Sequence, residues 1–155
     1  MTKQHKFAAF FLYFSFLFLF YSIHDLAFAS TWQTLQVDSK LNLSVEVVST
    51  NQEKRTGLAH RSELEKGKGM LFIYNKIEEQ VFWMKGMLIS IDIIWIRKGR
   101  VVHIEHSIPP PSPMTKESSL LRYGIGIYSD MVLEVPAGYA QEISLTQGSL
   151  IQLVP

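Results

Sequence analysis

Two carboxylates stand where apolar side chains are expected. Asp92 interrupts Ile91-Asp92-Ile93-Ile94-Trp95-Ile96, the most apolar strand-like stretch outside the N-terminus. A charge there either ends near water or is buried, and an unpaired buried charge costs several kcal/mol. Burial therefore requires a partner, for which Arg61 and Lys85 are the candidates, arginine being suited to a planar two-oxygen contact. A structural ion pair, or a cap on backbone amides, is the bland alternative. Glu134 is the second carboxylate, with Val132 and Pro136 on its side of a strand. If the two faced one cleft they could divide acid and base duties, as in glycoside cleavage. Two separately solvated strand faces would do nothing of the kind.

A third chemistry comes from Phe82-Trp83-Met84, Met87 and Met70, because soft thioethers select Cu(I). His103 and His106 are the imidazoles that would assist, but at i and i+3 on a strand they point to opposite faces. Methionine beside aromatics is also ordinary core filler. The chain has no cysteine, so thiolate catalysis, zinc–cysteine sites and disulfides are excluded. It also lacks a nucleophile elbow, a phosphate-binding loop, a dinucleotide fingerprint and an H-E-x-x-H motif.

The elements that must position these groups are short. Leu41, Leu43, Val45 and Val47 alternate with Asn42, Ser44 and Glu46, the period of a half-buried strand. Thr50-Asn51-Gln52-Glu53 is a capping box, and the helix it opens stops at Gly57. Met70 to Tyr74 and Val81 to Met84 are apolar runs of strand length. Ile89 to Arg97 is the strongest strand, with Ile89, Ile91, Ile93 and Trp95 on one face and Ser90, Asp92, Ile94 and Ile96 on the other. Lys98-Gly99 then turns the chain into Arg100 to Glu105 as a hairpin. Pro109 to Pro113 begins a long loop reaching about Ser129. Met131 to Val135 and Ser149 to Val154 complete the strands, with a helical turn or two in Tyr139 to Leu145. About seven short strands without a βαβ rhythm predict a mainly β fold: a compact, mostly antiparallel barrel or sandwich with one or two short helices.

The front of the chain has a different composition. Of the 155 residues, the first 29 hold eight of the ten phenylalanines. Lys3, His5 and Lys6 precede the uncharged run Phe7 to Ile23, and Ala27-Phe28-Ala29 precedes Ser30. This is the pattern of a secretory signal peptide over residues 1–29, cut between Ala29 and Ser30; an uncleaved membrane anchor is the alternative. Residues 30–40 read as a loose lead-in and 41–155 as one β-rich domain. Once Lys3, Lys6 and Asp25 leave with the leader, the rest carries 13 basic and 13 acidic residues. That balance shows no footprint for nucleic acid.

Gly57-Leu58-Ala59-His60-Arg61, Gly69-Met70-Leu71-Phe72, Phe82-Trp83-Met84-Lys85, Ile91-Asp92-Ile93-Ile94 and Val132-Leu133-Glu134-Val135-Pro136-Ala137-Gly138 together resemble the domain of unknown function 192 family, over about Leu43 to Val154. The resemblance implies a small exported or membrane-tethered prokaryotic protein with a compact β-rich domain, and it brings no established reaction. Arg61, Trp83, Met84, Asp92 and Glu134 match the family's pattern. The chain departs from it at Ala59 (usually Met), Gly86-Met87 (Asn-Thr), Ser90 (Pro) and Gly148-Ser149 (Gly-Asp). The missing Asn-Thr pair removes side-chain hydrogen bonding beside Asp92. The expected function is a non-catalytic binding or accessory module of the cell envelope without a cofactor. Its ligand, a small molecule or an envelope component, would meet Arg61, Trp83, Met84, Asp92 and Glu134. An envelope-glycan enzyme using Asp92 and Glu134, and a periplasmic Cu(I) carrier, are the rival readings.

Overall fold

The computed structural model describes residues 32–154; the leader and its cleavage site at Ala29 and Ser30 lie outside them. The strands are β1 (Trp32–Val37), β2 (Leu41–Val48), β3 (Lys68–Glu79), β4 (Ile91–Arg97), β5 (Arg100–Ile108), β6 (Tyr128–Pro136) and β7 (Ile151–Val154). Among the described residues two short helices, α1 (Asn51–Thr56) and α2 (Tyr139–Glu142), and one 3-10 turn at Glu117–Ser119 join them. The strands form a single sheet in the order β5-β4-β6-β3-β2-β1-β7. Its two ends curl toward each other until Arg100 bridges Leu150, Val101 N–H donates to Ser149 O at 3.0 Å and Ile151 N–H donates to Gly99 O at 2.8 Å. The mainly β class and the mostly antiparallel pairing are as the sequence predicts.

Local chemistry sets the corners. Lys98 and Gly99 both take left-handed φ values, 52° and 73°, which a two-residue turn matching the strand twist requires. The Asp130 carboxylate accepts from Lys98 N–H at 3.0 Å and steadies that turn. The capping box forms as expected: Thr50 Oγ1 accepts from Glu53 N–H at 3.2 Å, and Glu53 accepts from Thr50 N–H at 2.9 Å.

Three details differ from the sequence reading. Residues 32–37, expected in a loose lead-in, are β1, paired to both β2 and β7, because Leu35 and Val37 bury in the core. Val81 to Met84 makes one isolated bridge, Phe82 to Tyr123, in place of a strand. β2 and β3 pair in parallel, and segment 49–67, containing α1, supplies the crossover a parallel pair needs.

Both sheet faces are covered. Leu35, Leu43, Leu71, Ile94, Ile96, Leu133, Val135 and Ile151 belong to one cluster, to which every strand contributes and which the curl encloses. The opposite face carries Met70, Phe72, Ile91, Ile93, Trp95 and Val132, roofed by Leu58, Met84, Met87 and Ile108. Phe82 stands edge-on to Phe72 and Trp95, at 5.0 and 6.1 Å between ring centroids. The Trp95 indole N–H donates to Gln80 O at 2.8 Å. Gly124 is required above that ring: a Cβ there would lie 2.5 Å from Trp95.

Candidate functional site

Asp92 opposes Val135 in the β4–β6 ladder and points into the enclosed face with Ile94 and Ile96. It is wholly buried. Its Oδ1 accepts from Ser107 N–H at 2.7 Å and Gly138 N–H at 2.9 Å, and its Oδ2 accepts from Ala140 N–H at 2.9 Å. Gly138 makes this convergence available, because its left-handed φ of 78° turns the chain from β6 into α2. Asp92 thereby ties the end of β5 and the start of α2 to the start of β4, just after Ile91. The basic partners expected from the sequence do not supply its charge balance. Arg61 pairs with Glu46, and Lys85 pairs with Glu117 at 2.7 Å. Three amide donors do what one guanidinium was expected to do.

Glu134 lies one residue from the Asp92 register, opposing Ile93 on one side and Met70 on the other. A shift of one residue reverses the face in a strand. The two carboxylates therefore point to opposite sides of the sheet, and the acid–base pair for glycan cleavage is overturned. Glu134 belongs to a row that crosses the sheet as Glu46, Met70, Glu134 and Ile93. Arg61, from the segment after α1, reaches this row with a two-pronged contact to Glu46: Nη2 donates to Oε2 at 2.7 Å and Nη1 to Oε1. Glu134 is 5% exposed, and its Oε2 has no hydrogen-bond partner. Burial pushes its pKa up to about 8 against the opposing pull of Arg61, so the group holds its proton at neutral pH. Tyr74 is also pushed up, first by burial and then by the charges of Glu134 and Glu78. A Cβ on Gly69 would lie 2.7 Å from the Glu134 carbonyl oxygen, so the neighbouring strand must carry glycine there.

Tyr74 also lines an open cleft of about 910 Å³ beside α1, which Lys54, Arg55, His60, Trp83 and Lys85 complete. The Lys54 ammonium sits 4.2 Å from the Tyr74 ring centroid. Trp83 is contacted by the Arg122 guanidinium at 3.9 Å and by the Lys85 ammonium at 5.2 Å. The cleft thus combines aromatic surface with several cationic donors, a setting for binding and orientation.

Of the residues singled out in the sequence, Trp83 lines this cleft, and Arg61, bound to Glu46, stands near enough to Glu134 for their charges to influence each other when Glu134 is ionised. Met84 does not join them: it is buried in the core under the Pro109–Pro111 loop. Asp92 is on the far face. Met70 and Met87 are likewise buried in the cluster that holds Phe72 and Trp95, and His103 is engaged with Glu105 at 3.1 Å. Among the described residues no group of three or more His, Asp or Glu is placed to hold a metal. The sequence reading missed Glu46, Lys54, Arg55, His60 and Tyr74. Only the two aliphatic residues beside Glu46, Val45 and Val47, offered a signal for one of them.

No curated protein matches the sequence. Two crystal structures share the fold. One is a proposed transcription regulator from Sinorhizobium meliloti 1021, at 19% identity and TM-score 0.69, covering 80% of this chain and 95% of that one. The other is a protein of unknown function from Novosphingobium aromaticivorans DSM 12444, at 24% identity and TM-score 0.69, covering 84% and 91%. The family model for domain of unknown function 192, described as uncharacterized ACR, COG1430, matches residues 33–153, which includes every strand residue except Trp32 of β1 and Val154 of β7. The chain belongs to the domain of unknown function 192 family.

Proposed function

We propose that the protein is an exported, non-catalytic binding module of the cell envelope that holds a small ligand in the cleft between α1 and Trp83. The cleft is the observation that carries this reading. Its volume of about 910 Å³ suits a small-molecule ligand, and Tyr74 and Trp83 supply surface while Lys54, Arg55, His60 and Lys85 supply orienting donors. Export rests on the basic start, the apolar run and the Ala27-Phe28-Ala29 site that precedes Ser30. Among the described residues no helix is long and apolar enough to cross a membrane, so attachment to a bilayer would fall to the leader if it stays uncut.

The test is recovery of the protein from its native host, followed by N-terminal sequencing and native mass spectrometry. The expected result is an envelope fraction beginning at Ser30 and carrying a bound small-molecule mass. That mass should vanish in Ala59→Trp, which fills the cleft wall, while the circular dichroism stays native. A ligand-free protein, or a mass retained by folded Ala59→Trp, would overturn the cleft as the binding site.

A further inference from the structure

Resting on that reading, we infer that the cleft selects an organic oxyanion: a phosphate or carboxylate carried on a body about the size of a sugar ring. Outside the leader the chain is electrically balanced, yet the charges on this wall are not. Lys54, Arg55 and Lys85 line the cleft beside the His60 ring, and among the described residues no aspartate or glutamate does. Arg122 adds a further cation against Trp83.

The nearby carboxylates are already engaged. Glu53 accepts from Ser49 N–H and Thr50 N–H in the capping box. Glu78 pairs with Lys76 at 2.9 Å, Glu117 with Lys85 at 2.7 Å, and Glu46 with Arg61. Among the described residues Lys54 and Arg55 have no ion-pair partner. Lys54 is further held against the Tyr74 ring, where it loses part of its water, and burial lowers its pKa more than Glu53 and Glu78 raise it. A partly desolvated ammonium beside a guanidinium without a counter-ion is a receptor for an oxyanion, which each can meet with charge-assisted hydrogen bonds. A ring-bearing anion can also use the aromatic rings of Tyr74 and Trp83 that line the cleft, which a bare inorganic anion cannot.

Calorimetric titration of the full-length protein, freed of co-purified ligand by dialysis, tests this with four probes: glucose 6-phosphate, glucuronate, inorganic phosphate and glucose. Glucose 6-phosphate or glucuronate should bind about tenfold or more tightly than glucose or inorganic phosphate. The Lys54→Gln/Arg55→Gln double variant should weaken the charged probes by at least about tenfold. The tighter of the two charged sugars distinguishes a phosphorylated metabolite from an acidic glycan unit. Glucose binding as well as the charged sugars, or a double variant with unchanged affinity, would overturn the anion class. If neither charged sugar binds while the co-purified mass is still lost in Ala59→Trp, the anion class falls and the cleft stands. If that mass is absent as well, both fall.

Discussion

Asp92 and Glu134 are the same kind of group in the same sheet, one residue apart in register, and they have opposite fates. Asp92 is fully buried and its two oxygens accept three backbone N–H groups. Glu134 is nearly as buried, yet one oxygen has no partner and the pKa rises to about 8. The difference lies in what each sheet face brings close. The enclosed face meets the turn into α2, where amides point inward, whereas the opposite face offers Met70, Ile93 and the flank of Arg61. At Glu134 burial without compensating donors raises the pKa.

The largest expected effect is at Asp92. Asp92→Ala removes three charge-assisted bonds and strands three amides, and should cost about 4 kcal/mol in denaturant unfolding. A loss below about 1 kcal/mol would remove the structural role assigned to it. The second effect is in pH dependence. Glu134 has a folded pKa raised above its unfolded value, so between about pH 4.5 and 8 the native state holds a proton that the unfolded state has lost. Stability should therefore fall as pH rises across that window, by a few kcal/mol at most. Glu134→Gln should flatten the slope and be the more stable protein at pH 8; an unchanged slope in the variant would place the titration elsewhere.

The smallest effect sharpens the comparison through Arg61. A double-mutant cycle between Arg61 and Glu46 should give a coupling of about 1 kcal/mol, modest because the Arg61 side chain is 36% exposed. The corresponding cycle between Arg61 and Asp92 should be additive within about 0.5 kcal/mol. Coupling of the second pair at the size of the first would restore the ion pair that the structure replaces with amide caps.

Much of the architecture was legible because it depends on local periodicity. The alternation in Ile89 to Trp95 assigned each side chain to its correct face, and the Lys98-Gly99 turn and the Thr50–Glu53 box both form. Periodicity failed where two covers meet one strand. Leu41 to Val47 reads as half-buried, but from Val45 onward the second face is roofed too, so Glu46 is buried where alternation leaves it in water. The candidate site was only partly legible for the same reason. Arg61, Glu134 and Trp83 stand out by residue type, whereas Lys54 and Arg55 look like ordinary solvated helix residues until Tyr74 from β3 is placed beneath Lys54.

By itself the sequence determined the strand-rich class, the turns and caps, the thiol-free packing and the family blocks, all of which are short-range or compositional. The tertiary structure alone decided which donors reach Asp92, that Glu134 lacks one, and that cations from α1 and the Trp83 segment surround a common cleft. Those outcomes depend on contacts between residues 15 or more positions apart, such as Glu46 with Arg61 and Asp92 with Ala140. Side-chain alternation records the face a residue occupies, but only the closing of the sheet determines what waits on that face.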